Sequence, residues 1–266
     1  MAKVVIVTGA SAGIGQATAS VLAARGWSVV CASRRGHAVE GAEPLVMDVD
    51  SDASVQQGTA EVLGRHGRID AVVACAGWGV GGPFETTPLP DARALLETNF
   101  WGVARCARAA LPAMRAQRSG RLVLVSSIGG VLGLPFQAYY SASKFALEGL
   151  AEAMAYEVAP FGVGVTLVEP GNVRTEFTQR RRVLEPEAAG DVYSAAMTKA
   201  LSVMERDERN GVEPAAVAKV VLKVLEGRRA PRRVSVGRFS ERIGITGKRL
   251  LPQRAFEAAA RGSLGV

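Results

Sequence analysis

The chain has 266 residues, 48% of them hydrophobic and 21% charged, with a formal net charge of +7. That size and composition fit a folded α/β protein with a sizeable core and exclude a disordered or fibrous chain. No stretch approaches the roughly 18 consecutive apolar residues of a membrane span, and MAKVVIVTGA has too short an apolar run for a signal-peptide core, so a cytoplasmic protein is expected.

The first candidate strand, VVIV (4–7), runs straight into TGASAGIG, with Gly9, Gly13 and Gly15 at G-x-x-x-G-x-G spacing. A helix follows, with Ile14, Ala17, Val21 and Leu22 at helical period and Gly26 as its stop. Glycines at that joint let the backbone approach a ligand, and a helix N-terminus favours a pyrophosphate. The segment therefore reads as a dinucleotide site. The second strand, SVVCA (28–32), ends in CASRRG, which has Ser33, Arg34 and Arg35 but no carboxylate. An acid there would take the ribose 2′-hydroxyl of NAD, whereas Arg34 can pair bidentately with a 2′-phosphate, so NADP(H) is expected over NAD(H).

The third strand, PLVM (44–47), precedes Ser51, a helix cap for a face of Val55, Thr59, Val62 and Leu63. AVVA (71–74), RLVLV (121–125), GVTLV (164–168) and RRVSV (232–236) complete the set. Between the last two, Pro214 opens a helix striped by Val217, Val220, Val221, Val224 and Leu225. Most strands are continuous apolar runs, as strands buried on both faces should be. The alternation predicts a single-domain, doubly wound Rossmann-type α/β fold over 1–266, with a seven-stranded parallel sheet and helices on both faces. Residues 175–212, with Tyr193, Met197, Leu201 and Met204, read as a substrate lid. Residues 238–266 form a C-terminal extension that could cover a pocket with Leu250, Leu251 and Phe256, or pack on the core or a partner subunit.

Before the sixth strand, QAYYSASKF (137–145) places two tyrosines near a lysine. In a helix beginning near Tyr139, Tyr140 and Lys144 are i and i+4 on one face, and the ammonium is expected to lower the phenol's pKa. Tyr139 meets only Ser143 at that spacing, so Tyr140 is the candidate acid/base. Cys31, Cys75 and Cys106 are an odd, widely spaced set, and neither His37 nor His66 pairs with a ligand at metal spacing, so no disulfide framework and no metal are expected. The arginine clusters at 180–182, 228–229 and 232–233 read as solvated basic surface, and no nucleic-acid partner is expected.

TGASAGIG, Asn99 within ETNFWG, SSIGGVLGLPFQAYYSASK and EPGNVRT together resemble the short-chain dehydrogenase/reductase family over roughly residues 3–237. The stretch from Ser126 to Leu150 resembles its hydroxysteroid and retinol dehydrogenase branch. The resemblance implies a catalytic set of Asn99, Ser127, Tyr140 and Lys144, with Ser127 thirteen positions before Tyr140 and holding the substrate oxygen. Asn99 would hold a relay water, although an asparagine at a helix start also reads as a cap. It extends the cofactor contacts to Ser11, Ile14, Asp48 at the adenine, Val49, Ala76, Gly77, Pro170, Gly171, Val173 and Thr175. Cys75 stands where the family usually has asparagine, a change expected to remove a hydrogen bond.

The implied reaction is reversible hydride transfer between NADP(H) and a small-molecule carbonyl/alcohol pair. Phe136, the loop 78–84 and the lid suit a hydrophobic ketone or alcohol that is steroid-, retinoid- or acyl-like. A 3-ketoacyl carrier-protein reductase would use the same four residues, and a non-catalytic NADP-binding regulator is the reading of another class. By resemblance, the helix carrying Trp101, Cys106 and Leu111 and the one over 139–161 form the contact of a homodimer or homotetramer.

Overall fold

The computed structural model describes residues 2–184 and 192–264. Part of the expected lid, 185–191, lies outside the described residues. Seven parallel strands form the main sheet in the order β3-β2-β1-β4-β6-β7-β9. They are β1 (Val4–Thr8), β2 (Ser28–Ser33), β3 (Ala42–Val46), β4 (Ala71–Ala74), β6 (Gly120–Val125), β7 (Val163–Pro170) and β9 (Arg233–Val236). The order reverses at β1 and β4, which opens a crevice beyond the carboxyl ends of the strands. Two two-residue strands, β5 (Val80–Gly81) and β8 (Arg182–Val183), pair in a separate parallel ribbon.

Each central strand feeds two cores by alternation. Val4 and Ile6 of β1 join one core with Val72, Leu122, Leu124 and Val165. Val5 and Val7 join the other with Val73, Val123, Val125 and Val168. Helices α2 (Asp52–His66), α4 (Val103–Gln117) and α5 (Ala138–Val158) cover the first, while α1 (Gly13–Ala23) and α8 (Pro214–Glu226) cover the second. This is the expected fold class, with helices on both faces.

Two details differ from the sequence reading. The buried face of α1 is Gly15, Thr18, Ala19 and Leu22, because the close approach of Gly15 to the Gly9–Ala10 turn sets the helix rotation rather than its bulkiest residues. Asn99 does not open a helix. It lies in a π-helical turn, Glu97–Gly102, that joins α3 (Leu89–Leu96) to α4 without a break, so it is not an N-cap. Ser51 does cap α2, accepting the Ser54 N–H at 3.3 Å.

Past β7 come a short α6 (Phe177–Arg180), then α7 (Ser194–Arg209) and α8. The chain ends in α9 (Phe239–Leu250) and α10 (Gln253–Leu264), the latter packing on α7 and α9. Leu250 and Leu251 are exposed, so the extension does not cover the pocket with them. The arginine clusters are partly neutralised: Arg180 pairs with Glu176, Arg181 with Glu208, Arg182 with Asp91, and Arg233 with Glu148 and Glu152.

Candidate active site

A cleft of about 720 Å³ lies across the carboxyl ends of β1, β2, β3, β4, β6 and β7. Gly9 and Gly13 have positive φ (64° and 54°), and a Cβ on Gly15 would meet the Gly9 carbonyl oxygen at 2.4 Å. Only glycine allows this approach of loop to helix. No side chain caps the N-terminus of α1, so its first N–H groups and positive dipole end remain available to an anion. Ser11, Ile14, Ser33, Arg34, Asp48, Val49, Cys75, Ala76, Gly77, Pro170, Gly171, Val173 and Thr175 all line the same cleft. The donor set, the bare helix end and the shape fit a dinucleotide.

Arg35 is exposed and does not line the cleft. At the Arg34 end the structure adds a group the sequence reading missed, Asp50. Burial pushes its carboxyl up, whereas the Thr98 hydroxyl at 3.0 Å and the Arg34 charge pull it down. At Cys75 the expected loss of a tie does not leave the strand ends loose. The Thr8 hydroxyl accepts both the Cys75 and Ala76 N–H groups, at 3.1 and 3.2 Å. Burial pushes the Cys75 thiol up to about 12, against a smaller downward pull from Lys144.

Three of the four residues implied as catalytic, Ser127, Tyr140 and Lys144, meet at the inner end of the cleft. Tyr140 and Lys144 share the buried face of α5, and both line the cleft. Ser127 follows β6. Its Oγ accepts the Gly129 N–H at 3.0 Å and is hydrogen-bonded to the Tyr140 phenol. Lys144 Nζ donates to the Val125 carbonyl at 2.9 Å and sits 5.9 Å from the Tyr140 ring centre. Burial depresses the lysine pKa to about 8, partly offset by Cys75 and Glu148.

The phenol behaves differently from expectation. Burial raises the Tyr140 pKa, Ser127 and Arg181 pull it back, and Glu208 adds to the rise. The Lys144 ammonium is turned to a backbone carbonyl, and desolvation outweighs charge at the tyrosine. Burial therefore favours the neutral phenol at Tyr140.

Asn99 is fully buried behind this group and does not line the cleft. Its side chain accepts the Trp78 N–H and donates to the Trp78 carbonyl, both at 3.0 Å, and donates to Ser143 Oγ at 3.3 Å. A Cβ on Gly77 would lie 3.1 Å from Asn99 Oδ1 and 3.8 Å from Lys144 Nζ, so these two side chains flank Gly77. The π turn is what carries Asn99 to that spot.

Trp78, Leu134, Phe177, Val203 and Met204 form an apolar wall beside Tyr140. Phe136 does not reach the cleft; it has positive φ (55°) and packs with Leu134 against Met197, Leu201 and Met204 of α7. Tyr139 stacks on Phe84 with ring centres 5.4 Å apart, outside the lining. Glu241, whose partner Asn172 lies 69 positions back, was also missed. Its carboxylate accepts the Asn172 N–H at 3.2 Å, the Asn172 side-chain amide at 2.7 Å and the Arg238 N–H at 2.8 Å. A Cβ on Gly171 would lie 2.1 Å from that carboxylate, which accounts for the glycine there.

A parallel doubly wound sheet with a glycine-turn dinucleotide cleft and a Ser–Tyr–Lys group at its inner end defines a nicotinamide-type oxidoreductase. The comparisons agree. The family pattern of short chain dehydrogenases matches residues 3–185, and the chain belongs to the short-chain dehydrogenase/reductase family. It is an oxidoreductase of the alcohol/carbonyl class.

The chain is 36% identical over 260 residues to a 3-ketodihydrosphingosine reductase of Bacteroides thetaiotaomicron, covering 97% of both. It is 38% identical over 194 residues to the 17-beta-hydroxysteroid dehydrogenase type 1 of Homo sapiens, covering 66% of this chain and 58% of that one. A short-chain dehydrogenase structure from Streptomyces avermitilis superposes with a TM-score of 0.83 at 35% identity, covering 98% and 99% of the two chains. One from Burkholderia phymatum in complex with NAD gives 0.79 at 25% identity, covering 97% and 95%. A Thermococcus sibiricus alcohol dehydrogenase complexed with 5-hydroxy-NADP gives 0.71 at 25% identity, covering 89% and 97%.

Proposed function

We propose that the protein is an NADP(H)-dependent reductase of a hydrophobic ketone, of the ketodihydrosphingosine type, with Tyr140 as the proton donor. The observation that carries this reading is the buried Tyr140, hydrogen-bonded to Ser127 beside the apolar wall of Trp78, Leu134, Phe177 and Met204. The relative from Bacteroides thetaiotaomicron, matched along nearly its whole length, supports the substrate type.

The bound cofactor supplies or accepts the hydride at the carbonyl carbon. The chain's own residues do the rest. Ser127 holds the substrate oxygen by a hydrogen bond that strengthens as negative charge gathers there. Tyr140 gives its phenolic proton to that oxygen, and Lys144 stabilises the phenolate left behind. Asn99 fixes the Trp78 backbone and the floor at Gly77. The glycine loop and the start of α1 hold the pyrophosphate, and Arg34 with Ser33 holds the 2′-phosphate. The described residues of the expected lid, 175–184 and 192–212, supply Phe177, Val203 and Met204 to the wall beside Tyr140. The exposed Trp101 and Phe145, on the π turn and α5, support the expected homo-oligomer contact.

The test is a panel of 3-ketodihydrosphingosine, a steroid ketone, a retinoid and a carrier-bound 3-ketoacyl chain, each with NADPH and NADH. Turnover of the first with NADPH is expected to exceed the others. NADPH binding with no oxidation across the panel would revive a regulator. A chain at least about tenfold more efficient with NADH would remove the cofactor assignment. Arg34→Ala is expected to lower kcat/KM for NADPH by about 10–100-fold, the worth of a charge-assisted hydrogen bond, and to leave NADH use nearly unchanged.

A second variant tests the fastening of the Pro170–Val173 segment. Glu241→Ala should raise the dissociation constant for NADPH about tenfold, whereas Glu241→Gln, which keeps an acceptor oxygen, should lose less. Fluorescence titration of the reduced nicotinamide reads both.

A further inference from the structure

The C-terminal helix α9 has two faces with different fates. Its inner face is pinned: Glu241 holds Asn172, Ile245 is buried, and Lys248 donates to the Val131 carbonyl while lying 4.8 Å from the Phe145 ring centre. Its outer face carries Phe239, Ile243 and Leu250, exposed by 77%, 53% and 77%, with Leu251 beside them. At 100° per residue these three fall within about 40° of one another, so they form one stripe. An exposed apolar stripe of this kind marks a contact surface.

The charge around it says what kind. From Arg238 to the C-terminus the sequence has Arg238, Arg242, Lys248, Arg249, Arg254 and Arg261 against Glu241 and Glu257. A second copy docking on the same face would bring one basic segment against another. Phe and Leu on one face of a basic helix are the composition of helices that lie in the interface of an anionic bilayer. No helix among the described residues is long and apolar enough to cross a membrane, so the contact would be peripheral.

We propose that α9 is a docking surface for anionic lipid, with Phe239, Ile243 and Leu250 entering the acyl boundary and the net positive charge of the segment drawing it to the headgroups. The inner face of α9 stays on the Gly171–Asn172 turn, so docking sets the cleft beside the bilayer without unfolding the site. This inference stands on the helix face and does not depend on the identity of the substrate.

The test is flotation of the full chain with vesicles of phosphatidylglycerol and phosphatidylcholine, against phosphatidylcholine alone. The protein is expected to float with the anionic vesicles and at least about tenfold less with the neutral ones. Phe239→Glu with Leu250→Glu should lower binding at least about tenfold, and Ile243→Glu alone should lower it in part. NADPH affinity and melting temperature of these variants should match the wild type, which separates loss of docking from loss of fold. Absence of flotation would overturn the proposal, as would a double variant that floats like the wild type. So would a double variant whose oligomeric state changes without lipid, since the stripe would then be covered by another copy.

Discussion

Tyr140→Phe is expected to lower kcat by about 10²–10⁴-fold, the usual worth of a positioned proton donor, while NADPH still binds. The phenylalanine fills the same space on α5 and removes only the hydroxyl that meets Ser127. Burial favours the neutral phenol, which carries the proton that reduction consumes. Tyr139→Phe serves as the control. Its ring stacks on Phe84 outside the cleft, and kcat should stay within about threefold of wild type. Steady-state kinetics with each variant, alongside an NADPH titration, separates the two tyrosines. Retention of most of the rate by Tyr140→Phe would remove it from the chemistry.

The second large effect concerns Lys144, where activity and stability should move in opposite directions. Lowering the lysine pKa from 10.5 to about 8 corresponds to a cost of about 3 kcal/mol for keeping the ammonium buried. The unfolded chain binds the proton more tightly than the native one, so the cost is fully present below pH 8. It is relieved as pH rises from about 8 to 10.5, where wild-type stability should climb.

Lys144→Met removes that cost but leaves the Val125 carbonyl without its donor, an opposing term of about 1–3 kcal/mol. The variant should therefore melt at or above the wild-type temperature at pH 7, with its advantage shrinking toward pH 10. Its kcat should fall by about 10²-fold or more, because the phenolate of Tyr140 would form without a neighbouring cation. Thermal melts across pH, paired with turnover, check both halves. A variant that melts well below wild type at pH 7 would contradict the buried-charge account.

Much of this was legible in the residues. Continuous apolar strands, the glycine turn and the i, i+4 spacing of Tyr140 and Lys144 are local signals, and each appears in the fold where its period places it. What was not legible depends on distance or on competition between terms. Glu241 and its partners at Gly171 and Asn172 are about 70 positions apart, so no spacing rule joins them. The two-residue strands β5 and β8 are too short to show a period. The π turn at Asn99 has no pattern of its own. The pKa of Tyr140 was read from one neighbour's charge, whereas burial in the assembled site outweighs it. Phe136 was a reasonable wall residue by composition, but its positive φ turns it to α7.

The most direct measurement is a single reduction of 3-ketodihydrosphingosine by the wild-type enzyme with NADPH fully deuterated at C4, in ordinary water, followed by mass spectrometry of the alcohol. Hydride transfer from the cofactor predicts one deuterium at the carbinol carbon. An alcohol without deuterium at that carbon would contradict it.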